Sequence, residues 1–419
     1  MKRIIFTLLS TFVLQWNVAQ QITLEECQQK AQVNYPLILQ YNLVERTKEY
    51  NLGNASKGYL PQFTMTGKAT YQSDVTELPI EIPGVSVKGL SKDQYQVMLE
   101  LNQKIWDGGE IHYQRKKVKA SSNVDREQLN VDMYALNDRV NQVYFGILML
   151  DENLKQNKLL QEDLQRSYQQ VSAYMANGIA NQSDLDAVRV EQLNTRQSET
   201  ELLTSRGAYI QMLSLLIGEE INRETKFMKP ATTDVTLANV INRPELLWFD
   251  AQRESLDVSE SSLRVRNRPN LGLFVQGAYG NPGLNMLKNE FSPFYIAGVR
   301  LSWNFGALYT LRNDKRVIEN NRQKLQSNRE VFLFNTRLQA TQDNSAIQSV
   351  KAVMREDDEI IALRTNIRKA AEAKVANGTL TVTDMLREIT AESLARQTKA
   401  MHEVQLLMNI YQWKYTTNN

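Results

Sequence analysis

Apolar residues recur along this chain with two different periods. Leu136, Val140, Val143, Tyr144, Ile147 and Leu148 fall at helical spacing, as do Ile360, Leu363, Ile367, Ala370 and Ala371. Each set lies in a tract without proline, since none occurs between Gly84 and Lys229 and none follows Pro293. Proline removes a helix hydrogen bond and its ring clashes with the preceding turn, so both tracts are open to long helices. Glycine divides each tract at a corresponding place, Gly178 and Gly378, with Gly146 and Gly207 as tolerated interruptions. The pattern predicts helix, sharp turn, helix, twice over. The first arms run from about Glu110 to Asn177 and from Ala307 to Asn377, each roughly 100 Å long at 1.5 Å per residue. Helices of that length belong to coiled-coil-like assemblies rather than to one globular core.

The second period is two. Phe63, Met65, Gly67, Ala69 and Tyr71 alternate with Gln62, Thr64, Thr66, Lys68 and Thr70. Tyr95, Val97, Leu99, Leu101 and Ile105 alternate in the same way with Gln94, Gln96, Glu100, Asn102 and Lys104. Further on, Leu271, Leu273, Val275 and Tyr279 form one such face, and Tyr295, Ala297, Val299, Leu301, Trp303 and Phe305 form another. Strands of this length fit a tilted membrane crossing, with Tyr71, Trp106, Tyr279, Tyr295, Trp303 and Phe305 as aromatic girdles. Alternation alone fits a soluble antiparallel sheet equally well.

The order of elements repeats. Asn34-x-Pro36, Pro61 and Tyr71 recur as Asn242-x-Pro244, Pro269 and Tyr279, all displaced by 208 positions. Ala176-Asn177-Gly178 and Asp184 recur as Ala376-Asn377-Gly378 and Asp384, displaced by 200, and an insertion around Glu77 to Leu90 of the first copy accounts for the change. The expected organisation is a first structural repeat over residues 20–218, a linker over 219–241, and a second repeat over 242–419.

Composition and charge change the picture in three places. Lys2 and Arg3 precede an apolar region formed by Ile4 to Leu9 with Phe12, Val13 and Leu14, which reads as a secretory signal peptide over residues 1–19. No later segment has the apolar length of a transmembrane helix. A formal charge of +2 gives no electrostatic footprint for nucleic acid. The remaining chemistry is sparse. Cys27, the single cysteine, sits in the amphipathic stretch Leu24, Cys27, Ala31 and is expected as a buried, unreactive thiol. His112 and His402 fall on separate helices, and the run Glu356 to Glu359 reads as a solvated helix face. No catalytic, cofactor-binding or metal-binding constellation emerges, and Gly108-Gly109 lacks the lysine spacing of a phosphate loop.

An exported chain with two very long hairpins favours membrane strands over a soluble sheet. Four strands cannot close a barrel, and an open strand edge does not persist in lipid, so several copies must share one barrel. Three copies supply twelve strands, within the range of outer-membrane barrels.

These residues resemble the TolC-type outer-membrane efflux family over essentially the whole mature chain. The resemblance rests on Leu24-Glu25-Glu26-Cys27 with Asn34-Tyr35-Pro36, Leu60-Pro61, Ile105-Trp106-Asp107-Gly108-Gly109 and Leu215-Leu216-Ile217-Gly218. The tip Ala176-Asn177-Gly178-Ile179-Ala180 followed by Ser183-Asp184-Leu185 is its most specific part. The resemblance implies a mainly α chain with a membrane β-barrel portion, assembled as a homotrimer whose twelve-stranded barrel continues into a helical periplasmic tunnel. It further implies outer-membrane lipid around the barrel, a periplasmic adaptor and an inner-membrane pump as partners, and passive export from the periplasm to the exterior. Ala176, Asn177, Gly178 and Ile179, with Ala376, Asn377, Gly378 and Thr379, become the candidate adaptor-docking tips. Asp184, Asp384 and Arg387 become the candidate gate.

Each tip also has a plain structural reading. Glycine is expected where a helix ends with positive φ, and Asn181-x-x-Asp184 and Thr381-x-x-Asp384 fit N-cap pairs at the returning helices. Asp384 matches a family position where acidic side chains narrow the entrance. Arg387 departs from the family's acidic residue one turn later, which opens a pairing with Asp384. A structural or adhesive coiled-coil envelope protein is the competing function. It explains the helices but not the four symmetrically placed strands.

Overall fold

A computed structural model describes residues 21–76, 89–231 and 240–419. The expected signal peptide, most of the insertion after Glu77 and the middle of the linker lie outside the described residues. In chain order the elements are β1 (Gln21–Ile22), α1 (Leu24–Asn34), α2 (Ile38–Ser56), β2 (Gln62–Tyr71), β3 (Asp93–Trp106), α3 (Glu110–Ala176) and α4 (Gln182–Ile217). They are followed by β4 (Lys226–Phe227), α5 (Pro244–Arg266), β5 (Asn270–Asn281), β6 (Ser292–Ser302), α6 (Ala307–Ala376) and α7 (Val382–Thr417). Two strands, a very long helix and a shorter helix thus occur twice in the same order. Among the described residues no helix is long and apolar enough to cross a membrane.

The chain forms two compact units. Among the described residues the first draws on 21–38, 131–231, 240–243 and 332–419, the second on 39–76, 89–130 and 244–331. In the first unit the 136–148 stripe of α3 is the core: Leu136, Val140, Tyr144, Ile147 and Leu148 are all at most 2% exposed. Cys27 and Leu24 of α1 are fully buried in the same unit. Burial pushes the Cys27 thiol up to about 12, which keeps it protonated and unreactive. The Tyr144 hydroxyl lies 2.8 Å from the carbonyl oxygens of both Ile22 and Met228, beside the short parallel pair β1–β4. The later stripe behaves differently. Ala371 is buried, but Ile360, Leu363 and Ile367 are about half exposed, because among the described residues no other segment covers that face of α6.

The repeated Asn-x-Pro motif lies beside the end of the returning helix in both copies, held there by different bonds. Asn34 Nδ2 donates to the carbonyls of Leu215 and Leu216 at 3.3 Å, where α4 runs out at Gly218 with φ 72°. A Cβ on Gly218 would lie 2.2 Å from the Asn34 side chain, so the position needs glycine for its space as well as its φ. Asn242 Nδ2 donates to Asn419 Oδ1 and Asn242 N to Thr417 O, beside the end of α7.

In the second unit β2, β3, β5 and β6 form one antiparallel sheet in that order. Glu100 pairs with Thr64 on one side and Gln276 on the other, and Val275 pairs with Leu101 and Ala297. Among the described residues β2 and β6 are its two open edges. The last strand is shorter than its alternation predicts. It stops at Ser302, because Trp303 Nε1 donates to Asn267 O at 3.1 Å and Asn304 Oδ1 accepts from Gly306 N at 2.9 Å, which turns the chain into α6.

Candidate functional site: a two-faced sheet and paired helix tips

Side chains alternate across a strand, so the pairing register assigns every sheet residue to a face. One face carries Phe63, Met65, Leu99, Leu101, Leu273, Val275, Val299 and Leu301, with no charge among them. It is uncovered: Met65 is 72% and Leu301 69% exposed. The opposite face carries Thr64, Thr66, Gln96, Asn102 and Gln276 together with Lys68, Glu100, Lys104 and Arg300. Every charged residue of the four strands therefore lies on one face, except Asp93 at the very start of β3. On the polar face Arg300 stacks over the Phe274 ring at 4.7 Å and lies 3.5 Å from Glu100, which also accepts from Asn102 and Gln276.

The six predicted girdle aromatics separate into two groups along the strands. Tyr71, Tyr279 and Tyr295 stand toward the loop end, where Tyr71 pairs with Asp93 and Tyr279 with Pro293. Trp106, Trp303 and Phe305 stand at the helix end, the last two with ring centroids 4.7 Å apart. All six are exposed. From Tyr279 to Leu271, the partner of Trp106, the strand covers about 27 Å at ~3.4 Å per residue. Tyr95, opposite Asn281, joins the loop-end group on the same face, and its place in the alternation would have identified it.

The tips lie in the first unit. At Gly178 and Gly378 φ is 75° and 68°. Gly178 N donates to Met175 O and Ile179 N to Tyr174 O, and Gly378 N and Thr379 N repeat this with Val375 and Lys374. This closes two Schellman turns, each satisfying the last helical carbonyls. Asn177 and Asn377 each donate from Nδ2 to the carbonyl four residues back. The exposed tip residues are Ala176, Asn177, Gly178 and Ile179 in one hairpin, and Ala376, Asn377, Gly378 and Thr379 in the other. Behind them Leu164, Val171, Leu185 and Val188 share one apolar core with Val375, Val382, Met385, Leu386 and Ile389, so the two hairpins are packed tip to tip.

Both candidate gate aspartates stand in the first turn of a returning helix and bond to its N-cap residue, Asn181 or Thr381. Asp184 accepts from Asn181 N at 3.0 Å while Asn181 Oδ1 accepts from Asp184 N at 3.1 Å, a reciprocal capping box. Asp384 N donates to Thr381 Oγ1 at 3.1 Å, and Thr381 Oγ1 donates to Asp384 Oδ2 at 2.7 Å. The other oxygen of Asp384 lies 3.3 Å from Arg387 Nη1, a pair open to solvent.

A buried ionic cluster near this tip escaped the sequence reading. Glu392 is 4% exposed. It accepts from Thr365 Oγ1 at 2.7 Å, from Arg396 at 2.5 Å and from Arg368, which also meets Glu372. Burial alone raises the Glu392 carboxyl, but Arg396, Thr365 and Arg368 outweigh it and hold it below the usual carboxylate range. The acidic run is also less uniform than its sequence suggests. Asp357 is buried and lies 2.8 Å from His402 Nδ1, while Asp358 pairs with Lys399. Among the described residues no three His, Cys, Asp or Glu side chains converge as metal ligands would.

Residues 28–219 match the sequence model of the family described as Outer membrane efflux protein. The sequence matches no curated protein. Among solved structures the chain is similar to the outer membrane protein VceC of Vibrio cholerae, at 10% identity and TM-score 0.68, over 94% of this chain and 96% of that one. It is similar to the Campylobacter jejuni CmeC outer membrane channel at 13% identity and TM-score 0.66, over 94% and 85%. It is also similar to the open state of the Neisseria gonorrhoeae MtrE outer membrane channel at 10% identity and TM-score 0.65, over 94% and 89%. Residues 28–219 thus carry the sequence pattern of the outer membrane efflux protein family, and nearly the whole chain shares the fold of these channels.

Proposed function

We propose that three copies of this chain close a twelve-stranded barrel in the outer membrane and form the exit duct of an efflux or secretion assembly. The observation that carries this reading is the sheet: one face apolar and uncovered, the other holding the interior charges, with two open edges. A single protomer in lipid would leave the edge groups of β2 and β6 without partners, at several kcal/mol each. Pairing β6 of one copy with β2 of the next removes both edges. The exposed Ile360, Leu363 and Ile367 of α6 then supply an apolar contact between protomers. The Tyr71, Tyr279, Tyr295 group and the Trp106, Trp303, Phe305 group mark the two membrane surfaces.

On this reading residues 20–218 and 242–419 are two repeats of one unit, and the helical hairpins extend into the periplasm. Their tips dock a periplasmic adaptor through residues 176–179 and 376–379, and the adaptor connects them to an inner-membrane pump. Transport through the duct is passive. Asp184, Asp384 and Arg387 stand at the periplasmic entrance, where opposite charges on Asp384 and Arg387 moderate its field. The test is extraction from outer membranes followed by gel analysis and planar-bilayer recording. Heat-sensitive trimers with ion conductance are expected, and recovery as a soluble monomer would overturn the reading.

A further inference from the structure

The four stretches that join the sheet to its helices, residues 53–61, 107–119, 258–269 and 303–316, carry eleven lysines and arginines against four carboxylates. The whole chain is almost balanced, with 49 cations and 47 anions, so the excess is local. All eleven cations are exposed. The four carboxylates are already engaged. Asp107 accepts from Gly109 N and Ile111 N, Glu110 faces Lys104, Glu260 faces Arg322, and Asp314 faces Arg266. Arg115, Lys117, Arg264, Arg312, Lys315 and Arg316 have no ion-pair partner among the described residues. Counted at 1.5 Å per helical residue, each stands within about 15 Å of the sheet end of its helix.

This is also the end where the uncovered apolar face stops at Trp106, Trp303 and Phe305, with Tyr309, 87% exposed, just inside α6. Rings at the edge of an apolar band followed by long cationic side chains make the two-layer pattern of a membrane surface: aromatics at the headgroup level, then cations at the phosphates. Guanidinium groups take phosphate oxygens in paired hydrogen bonds, and the alkyl stems of lysine and arginine lie along apolar surface while their charges stay in water. Screening limits such attraction to a Debye length of about 8 Å at physiological salt, so the cations nearest the girdle, Arg115, Arg264 and Arg312, count most.

We infer that this band of cations binds the anionic headgroups of phospholipids in the membrane leaflet on the helix side of the barrel. The inference rests on the reading that the sheet spans the membrane, and goes beyond it by assigning a lipid class to one surface. All four connecting stretches contribute, as a contact with surrounding lipid requires. Cations turned to the lumen would act on anionic cargo instead, and the same variants separate the two.

The test uses the full chain reconstituted into phosphatidylcholine vesicles and into vesicles that also contain phosphatidylglycerol. The midpoint for heat dissociation of the oligomer should rise with phosphatidylglycerol, and high salt should remove the rise. The variant Arg312→Gln/Lys315→Gln/Arg316→Gln should lose at least half of it, and Arg115→Gln/Lys117→Gln on a different helix should lose part of it. Equal midpoints in the two lipids, or variants that keep the full rise, would overturn the inference. A shifted reversal potential in a salt gradient with unchanged lipid dependence would also overturn it and place the cations in the lumen. A protein that fails to insert and conduct even in phosphatidylcholine refutes the barrel reading. One that conducts but ignores phosphatidylglycerol refutes only the lipid assignment.

Discussion

Gln192 and Glu392 occupy the same position in the two hairpins, 200 residues apart, and both are buried, but the first is a neutral amide beside one arginine and the second a carboxylate shared by two. Gln192 Nε2 donates to Gln165 Oε1 at 3.1 Å, and its Oε1 accepts from Arg189. In the second hairpin Thr365 replaces Gln165 and a full charge replaces the amide. One architectural position thus has a neutral solution and an ionic one.

Replacing Glu392 should therefore separate charge from hydrogen bonding. Glu392→Gln copies the first hairpin and should cost about 1 kcal/mol, whereas Glu392→Ala leaves Arg368 and Arg396 without their shared partner and should cost about 2–3 kcal/mol. The pH dependence follows from the depressed carboxyl. Its stabilisation is complete above the unfolded carboxylate value near ~4.3 and is lost as pH falls through the lower folded value. Acid unfolding followed by circular dichroism should show this loss in the parent and a flatter profile in Glu392→Gln.

The two tips need residues that tolerate positive φ. Gly178→Ala and Gly378→Ala meet no steric neighbour, because a Cβ at either site faces open space. The cost is then the left-handed backbone alone, about 1 kcal/mol each. A thermal-unfolding comparison should give nearly equal losses at the two sites, and asparagine should recover part of each.

Adjacent residues of β5 offer a test of the membrane faces. Val275 belongs to the uncovered apolar face and Gln276 to the charged one. Val275→Arg should lower folding stability in lipid by roughly 2–4 kcal/mol, while Gln276→Arg should be nearly neutral. Urea titration in vesicles measures both, and equal costs would argue against a lipid-facing side.

Asp384→Asn keeps an oxygen for the Thr381 cap but removes the charge facing Arg387. Single-channel conductance and its block by multivalent cations should change, with little loss of thermal stability. Unchanged conductance and block would confine Asp384 to capping.

Cys27 should resist maleimide in the folded chain at pH 8 and react fully in denaturant, since it is buried and its thiol lies near 12. Mass-spectrometric counting of the adduct checks this directly.

The hairpins and strands were legible because their signals are local. Proline-free tracts broken at Gly178 and Gly378 fix helix and turn, and period-two alternation fixes the faces of β2, β3 and β5. Trp303 and Phe305 were harder, because alternation continues past Ser302 and the strand ends through a contact with Asn267, distant in sequence, together with the Asn304–Gly306 turn. The Glu392 cluster was not legible. Arg368, Thr365 and Arg396 look like ordinary surface residues until α6 and α7 are laid side by side. Folding the chain back at Gly378 brings Arg368 opposite Glu392 and Asp357 opposite His402, and that reflection is the signal which could have found them.

The open edges of β2 and β6 bear on inheritance as well as on folding. In a barrel shared among protomers each seam joins two different copies, so a defect in either edge strand damages neighbours that carry no mutation. An edge-strand variant produced beside the intact chain would spoil most mixed assemblies, and its effect would be dominant. A variant buried in the hairpin core, which prevents its own chain from folding, would simply be lost and leave the intact copies to assemble without it.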